Sequence, residues 1–174
     1  MKCRQAAICL LALLLWPLMT EGRKAPFPAV SGFELDRYLG TWYEIARLPN
    51  SFEKDLIRVT AEYSLRRDGL VRVVNRGVRP RDGREKKAVG RAKFAADRDR
   101  GHLRVSFFGP FYADYLIIEL GREYEYALVA GGSLKYLWIL ARQPVIDAKL
   151  RDSLLKRAAE LGFAVDNLFF VPHD

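Results

Sequence analysis

The chain has 174 residues, of which 50% are hydrophobic and 29% are charged, and its formal net charge at pH 7 is +8. This composition is typical of one globular domain: the chain is too apolar to be disordered and too short for two well-cored enzyme domains. Only two histidines (His102, His173) and two cysteines (Cys3, Cys9) occur, which argues against thiol chemistry and against a metal site built from several side chains.

The N-terminal segment has the pattern of a secretory signal. Lys2 and Arg4 precede the apolar run Ala6–Met19, which as a helix would reach about 21 Å and falls short of the ~20 residues that cross a bilayer. We therefore predict a signal peptide over residues 1–22 and one domain over residues 23–174. An uncleaved N-terminal anchor is the alternative.

Both cysteines lie within this segment, so the rest of the chain has no disulfide available to it. A bacterial lipoprotein signal requires a cysteine directly after its apolar run. Leu18–Arg23 contains none, so the sequence predicts export without a lipid anchor.

Short alternating runs fill residues 41–141 and are separated by turn residues such as Asp68-Gly69 and Asp82-Gly83. Between Lys86 and Phe94, small and aromatic residues alternate with charged ones, as expected of a strand with one solvated face. This pattern predicts an eight-stranded antiparallel up-and-down barrel or a sandwich. The candidate strands are Trp42–Leu48, Val59–Leu65, Leu70–Arg79, Lys86–Phe94, His102–Phe107, Asp114–Leu120, Tyr126–Ala130 and Tyr136–Ala141.

The periodicity becomes helical after the last of these strands. Asp147–Leu161 places its apolar residues on one face, with Asp147 as the expected N-cap and Gly162 as the residue that ends the helix. We expect this amphipathic helix to pack outside the barrel. Phe33–Leu39 favours a short helical turn, and Val165–Val171 favours one more strand.

A barrel of eight strands has room for packed side chains or for one small ligand. Ala61, Ala88, Gly90 and Ala92 are too small to fill the centre of such a barrel. Small residues among aromatic ones suit a hollow site for an apolar ligand, whereas bulky partners across the barrel would make the core solid. The pattern alone leaves both alternatives open.

Three short motifs resemble the signatures of the lipocalin family. Gly40-Thr41-Trp42 opens the first predicted strand, Ala113-Asp114-Tyr115 stands where the family usually has Thr-Asp-Tyr, and Arg142 follows the eighth strand. The resemblance implies that Arg142 packs over Trp42 at the closed end of the barrel, in a cation–π contact. It therefore assigns structural roles to Gly40, Trp42, Asp114, Tyr115 and Arg142.

Several segments between Phe33 and Val171 are similar to the bacterial branch of the family, the Blc outer-membrane lipoproteins, and more distantly to apolipoprotein D. The resemblance implies a calyx that binds a fatty acid or a lysophospholipid, a role in lipid storage or transport, and a homodimer. It also implies location in the bacterial envelope, in the periplasm or at the outer membrane. Lipid anchoring does not carry over, because the modified cysteine is missing.

Strand parity places one set of side chains inside the barrel, where each is either a ligand contact or plain core. Pro49–Ile57 and Gly109–Ala113 are expected to frame the mouth. Asn75 should bond neighbouring backbone or orient a ligand head group, and Glu44, if inward, should lie towards the closed end or in solvent. The candidate ligand-binding residues are Tyr63, Val73, Asn75, Phe94, Val105, Phe107, Tyr136 and Trp138.

Basic residues are dense between Arg58 and Arg104. Aromatic residues are not interleaved with them, which disfavours nucleic acid as the partner. A positive surface that approaches anionic lipid head groups and a plain solvated face remain as alternatives.

Three functions of different classes follow: a carrier of small hydrophobic molecules, an enzyme on the same barrel, and a membrane-docking structural protein with a filled barrel and no stoichiometric ligand. The scarcity of cysteine and histidine disfavours catalysis, and His102 falls on the outward parity of its strand, which disfavours a haem ligand. We therefore predict a carrier without catalytic residues, metal or cofactor.

Overall fold

The computed structural model describes residues 26–174, so the predicted signal segment over residues 1–22 lies outside the described residues. Within them, alternating apolar residues form strands and one amphipathic stretch forms a long helix. The elements are helix α1 (Leu35–Tyr38), strands β1 (Gly40–Arg47), β2 (Ile57–Leu65), β3 (Val71–Val78), β4 (Glu85–Phe94), β5 (His102–Ser106), β6 (Ala113–Leu120), β7 (Tyr126–Ala130) and β8 (Leu137–Ala141), helix α2 (Ala148–Glu160), a 3₁₀ turn (Val165–Asn167) and strand β9 (Phe169–Phe170).

Strands β1 to β8 form a closed antiparallel up-and-down barrel, as the sequence predicts. Each strand pairs with the next, and β1 closes the barrel by pairing with both β2 and β8. The register brings Trp42 opposite Ala61 across β1 and β2, and Tyr43 opposite Ala141 across β1 and β8. The alternation seen in the sequence therefore places one series of side chains inside the barrel and the other outside.

The barrel has a closed end and an open end. Residues 30–39, including α1, lie across the closed end, where Phe33 and Tyr38 are buried against the barrel interior. The open end is framed by four connections, residues 48–56, 79–84, 107–112 and 131–136. Two of them cover the segments predicted to frame the mouth, Pro49–Ile57 and Gly109–Ala113, except for their last residues, which already belong to β2 and β6.

Helix α2 packs on the outer face of the barrel. The carboxylate of Asp147 accepts a hydrogen bond from the Leu150 amide at 2.9 Å, which caps the helix as predicted. Leu154 and Ala158 are fully buried against outward-facing residues of β6 to β8. The barrel thus has two apolar layers, one inside it and one beneath the helix.

The C-terminal segment is less regular than the strand predicted over Val165–Val171. A 3₁₀ turn occupies its first part, and only Phe169–Phe170 form a strand, paired with β1 at Ala46 and Arg47. Residues beyond β9 bridge the gap where β1 and β2 separate, because the Val171 amide donates to the Ile45 carbonyl (2.9 Å) and the Arg58 amide donates to the Pro172 carbonyl (2.8 Å).

Neither helix within residues 26–174 is long and apolar enough to cross a membrane.

Candidate functional site

The floor of the barrel is built around Trp42. This indole is fully buried, lies 4.7 Å from the Tyr38 ring centroid, and donates from Nε1 to the Tyr38 carbonyl at 2.8 Å. The guanidinium carbon of Arg142 lies over this indole, 4.0 Å from the centroid of the Trp42 ring. The geometry that the resemblance implies for Arg142 and Trp42 is thus present, and it seals the closed end.

Three phenol hydroxyls meet above this floor. The Tyr115 hydroxyl lies 2.7 Å from that of Tyr38 and 2.8 Å from that of Tyr63. Burial raises the pKa of all three phenols well above 10.0, so they stay protonated at physiological pH. Each hydroxyl has one proton to donate, and the two hydrogen bonds use two of the three. The third proton is therefore a free donor deep inside the barrel.

A buried ion pair lies beneath the connection that follows β1. A bulge at Ile45 shifts the parity of β1, so Glu44 and Arg47 both point inward and are only 3% exposed. Arg47 Nη1 donates to Glu44 Oε1 at 2.6 Å, and Nη2 donates to the carbonyls of Glu53 (2.7 Å) and Leu56 (3.0 Å). Arg47 therefore ties residues 53–56 to the barrel interior.

Burial and the nearby charge of Glu53 raise the pKa of Glu44, against the opposing effect of Arg47. The expectation that Glu44 would lie towards the closed end or in solvent is wrong. Its carboxyl is buried among charged partners near the open half, because the Ile45 bulge brings Arg47 onto the same side of β1.

An aromatic group lies where the connection over residues 48–56 meets β8. Trp138 Nε1 donates to Glu53 Oε2 at 3.0 Å, and Asn50 Nδ2 donates to the same oxygen at 2.7 Å. The rings of Tyr136 and Trp138 are stacked with centroids 6.2 Å apart, and Phe52 stacks on Tyr136 at 6.1 Å. These rings form one side of the mouth.

The opposite wall is open to solvent. Ala88 faces Asn75 across β3 and β4 and lies on the inward-facing series of its strand, yet it is exposed. Asn75, Val105 and Phe107 are only partly buried. The lower half of the barrel is packed with aromatic side chains, whereas the upper half contains accessible space beside small residues.

Gly90, although small, does not add to the accessible space in the upper half of the barrel. A Cβ added at Gly90 would lie 2.8 Å from the Phe107 ring and 2.7 Å from the Ser106 carbonyl. The ring of Phe107 thus occupies the place that a side chain at this position would take. Ala92 is fully buried, so Ala88 is the small residue of this strand that faces open space.

Asn75 finds no hydrogen-bond partner for its side-chain oxygen among the described residues. The sequence-based expectation was a bond to neighbouring backbone or a role towards a ligand. The bond to neighbouring backbone is absent for this oxygen. Asn75 Oδ1 is therefore a buried, unsatisfied acceptor on the inner wall, which a ligand hydroxyl or amine could satisfy.

The comparisons with known proteins agree with this architecture. A family model described as a lipocalin-like domain matches residues 33–173. The chain belongs to the lipocalin family. The lipocalin is 48% identical over 143 residues to outer membrane lipoprotein Blc of Vibrio cholerae, covering 82% of this chain and 84% of that protein. It is 47% identical to outer membrane lipoprotein Blc of Escherichia coli K12, over 82% of this chain and 80% of that one.

More distant relatives share the same fold. Apolipoprotein D of Rattus norvegicus is 38% identical to the lipocalin over 142 residues, covering 73% of each chain. The solved structure of insecticyanin from the tobacco hornworm Manduca sexta superposes with a TM-score of 0.70 at 21% identity, covering 85% of each chain. At that identity the match concerns the fold alone.

The eight ligand-binding candidates divide by depth in the lipocalin barrel. Tyr63 and Val73 are buried in the lower half, and Phe94 packs against Phe33 at the closed end with ring centroids 6.2 Å apart. Val105 lies opposite the buried Ala92, between the two halves. The other four lie towards the open end and are partly or largely accessible: Asn75, Phe107, Tyr136 and Trp138. Ligand contact by any of the eight remains a prediction.

Two residues that sequence reasoning missed are central to this site. Arg47 and Glu53 are buried, at 3% and 6% exposure, although charged residues near Pro49 suggest a solvated loop. The bulge that turns Arg47 inward leaves no mark on a period-2 pattern.

Outside the barrel, His102 Nε2 lies 3.0 Å from Asp114 Oδ1, so the aspartate of the middle motif pairs with a histidine on the neighbouring strand. Arg104 Nε also lies 3.7 Å from that oxygen. Within residues 26–174 no group of three histidine, cysteine or acidic side chains is arranged to hold a metal ion.

Proposed function

We propose that this lipocalin is a lipid-binding carrier of the bacterial cell envelope, which holds a fatty acid or lysophospholipid in its calyx for lipid storage or transport in membrane maintenance. Relatives that are 47–48% identical are outer membrane lipoproteins, which supports an envelope location. On this proposal the protein acts in the periplasm or at the outer membrane, and it binds its lipid rather than converting it.

The accessible inner wall in the upper half of the barrel is the observation that carries this proposal. Ala88, on the inward-facing series of β4, is exposed, Asn75 opposite it is partly buried, and Phe107, which packs on Gly90 of the same strand, is partly accessible. Apolar surface of this kind gains about 25 cal/mol for each Å² removed from water, and a single acyl chain is narrow enough for an eight-stranded barrel. The packed tyrosines below would stop the chain from passing further.

The first experiment is native mass spectrometry of the purified protein, followed by organic extraction. We expect one fatty acid or lysophospholipid per barrel, because an eight-stranded barrel has room for one small ligand. An apo mass that does not change when lysophospholipid is added would contradict the carrier. The same spectra report whether the protein is a homodimer, which remains part of the proposal.

A matched pair of variants locates the ligand. Ala88→Trp fills the calyx, whereas Val89→Trp places the same ring on the neighbouring outward-facing, exposed position. We expect the first variant to lose lipid binding and the second to keep it. Equal binding by both variants would mean that the chain lies elsewhere.

A second candidate function, docking on an anionic membrane without a stoichiometric ligand, is favoured by the connection between β5 and β6. Phe108 and Phe111 are 82% and 79% exposed, and the Lys93 ammonium lies 4.8 Å from the Tyr112 ring beside them. Exposed aromatic side chains next to cations suit the interface of a membrane. Salt-sensitive sedimentation with anionic vesicles, lost in Phe108→Ser/Phe111→Ser, together with an apo mass, would support this candidate over the carrier.

A further inference from the structure

The connection between β1 and β2, residues 48–56, lies across one side of the open end. On one flank it contacts β8, because Trp138 Nε1 donates to Glu53 Oε2 at 3.0 Å. On the other flank it lies close to the inner face of β3, since a Cβ added at Gly77 would lie 3.2 Å from Leu56. The connection therefore spans the rim from β8 to β3 and narrows the entrance to the calyx.

Three buried charged side chains anchor this connection, and they do not neutralise one another. Arg47 Nη1 donates to Glu44 Oε1 at 2.6 Å, and the carboxyls of Glu44 and Glu53 are hydrogen-bonded to each other. Two carboxyls thus share one guanidinium. If all three groups were ionised, the cluster would hold one uncompensated negative charge, which is costly away from water.

A proton between the two carboxyls removes this excess charge. Two carboxylates repel each other, whereas a protonated carboxyl donates to an ionised one. Glu53 Oε2 already accepts from Trp138 Nε1 and from Asn50 Nδ2, so Glu44 is the carboxyl placed to donate. Burial and the nearby charge of Glu53 raise the pKa of Glu44, against the opposing effect of Arg47, which agrees with this assignment.

The other groups around Glu44 come from β2, β8 and the C-terminal segment. Burial raises the pKa of the Tyr63 phenol, and the charges of Glu53 and Glu44 add to this effect, so Tyr63 stays protonated. Leu140, opposite Glu44 on β8, is apolar. His173 Nε2 lies 2.9 Å from the Glu44 carbonyl. Among the described residues around Glu44, His173 is the one further side chain that can change charge between pH 5 and 8.

The closed position of the connection depends on these contacts, because its junction with β2 has an unfavourable backbone. Asp55 (φ 61°) and Arg58 (φ 49°) lie in the left-handed region, which residues with side chains rarely adopt. Arg47 Nη2 holds the segment by donating to the Glu53 carbonyl at 2.7 Å. Repulsion between ionised Glu44 and Glu53 would act directly on this strained segment.

From this arrangement we propose that the proton shared by Glu44 and Glu53 is a latch that holds residues 48–56 closed across the mouth of the calyx. At low pH the proton is present, the latch is closed and ligand exchange is slow. As pH rises and the proton leaves, two like charges face each other, Glu53 moves out of the interior with its connection, and the mouth widens. The latch belongs to the protein itself, and only its effect on lipid exchange rests on the proposed carrier function.

NMR of the ligand-free protein tests the latch without any lipid. The Trp138 indole N–H donates to Glu53, whereas that of Trp42 donates to the Tyr38 carbonyl at the closed end. Between pH 5 and 8 we expect the Trp138 signal to shift upfield as its hydrogen bond is lost, while the Trp42 signal stays in place. A Trp138 signal that does not titrate would overturn the latch.

Stopped-flow dissociation of a lipid tests the consequence for exchange. The probe is a monoacylglycerol with a fluorescent acyl chain, which has no charge to titrate, chased by unlabelled monoacylglycerol. We expect dissociation to be at least about tenfold faster at pH 8 than at pH 5, the factor that corresponds to one pKa unit between closed and open forms. Equal rates with normal binding would overturn the latch and leave the carrier standing. If the probe does not bind while the Trp138 signal titrates, the carrier function fails and the latch stands.

Four single variants identify the group that titrates. Glu44→Gln and Glu53→Gln each remove one carboxyl of the pair and put an amide donor in its place, so dissociation should become independent of pH. Glu119→Gln is the matched control, because burial also raises the pKa of Glu119, which lies on β6 beside Arg157. This variant and His173→Gln should keep the wild-type dependence. A dependence that survives both carboxyl variants, or that disappears in His173→Gln, would overturn the proposal.

Discussion

Arg142 lies over the Trp42 ring, with its guanidinium carbon 4.0 Å from the ring centroid, while its N–H groups donate to backbone carbonyls on both sides. The accepting carbonyls belong to Arg37 (2.7 Å), Leu39 (2.9 Å) and Thr41 (2.9 Å), with a longer bond to Tyr124 (3.3 Å). One side chain after β8 therefore holds the chain that crosses the closed end.

Arg142→Lys should destabilise the protein, because an ammonium offers its donors from one point and cannot reach all of these carbonyls. We expect the free energy of unfolding to fall by about 2 kcal/mol, the contribution of hydrogen bonds from a charged group. Urea unfolding measures this loss. The control is Arg151→Lys on the exposed side of α2, and equal losses in the two variants would refute the assigned role.

Tyr115→Phe should also destabilise the barrel, because it deprives the buried hydroxyls of Tyr38 and Tyr63 of their shared partner. Leaving buried polar groups unpaired costs about 1–3 kcal/mol. Urea unfolding is again the measurement. Tyr43→Phe is the control, since the Tyr43 hydroxyl has no hydrogen-bond partner within residues 26–174, and its stability should equal that of wild type. A stable Tyr115→Phe would show that the trio does not contribute to stability.

The raised pKa of Glu44 predicts a pH dependence of stability. The folded protein holds this proton more tightly than the unfolded chain, whose carboxyl has its ordinary pKa near 4.5. Stability from this group is therefore fully present below pH 4.5 and is lost as pH rises through the raised pKa of folded Glu44.

Glu44→Gln replaces the titrating carboxyl with an amide that does not titrate, and so removes its contribution to the change of stability with pH. Urea midpoints at several pH values from 5 to 8 should fall more steeply with pH in wild type than in the variant. The pKa of Glu119 is also raised, through burial, but Glu119 is common to both proteins and cancels in the comparison. Parallel slopes would show that Glu44 does not titrate in this range.

The connection over residues 48–56 should loosen when Glu53 loses its side chain. Glu53→Ala removes the acceptor of the Trp138 indole N–H and of the Asn50 amide. We expect hydrogen exchange at the Leu56 amide, which donates to the Glu53 carbonyl, to become about tenfold faster. Exchange at Val129, in the buried part of β7, should be unchanged. Ser51→Ala serves as the control on the same connection, and unchanged exchange at Leu56 in Glu53→Ala would contradict the assigned anchor.

The sequence predicts the barrel well because its information is local. Period-2 alternation and Asp-Gly turns determine each hairpin separately, and eight consecutive hairpin strands leave few topologies. The N-cap Asp147 and the helix after it are likewise visible as short motifs. The positions of Trp42 and Arg142 follow from the family resemblance, since nothing in composition brings together residues that lie one hundred positions apart in the chain.

The candidate site is less predictable, because it depends on irregular features. The Ile45 bulge shifts Arg47 inward, and Glu53 reaches the barrel interior only through the fold of its connection. Gly90 indicates a cavity from its size, yet the Phe107 ring fills its place. Such packing across strands is decided by side chains distant in sequence, and a single chain does not reveal it.

The pairing of β9 with β1 has a consequence for the order of events in folding. Strand β1 is among the first structured elements to be synthesised, but its backbone partners at Phe169–Phe170 and Val171 come more than a hundred residues later. The seam between β1 and β2 therefore cannot be completed while the chain is still emerging from the ribosome. Contacts of such long sequence separation fold slowly, so the nascent protein spends an interval as an open sheet whose unpaired edge must be kept from other chains.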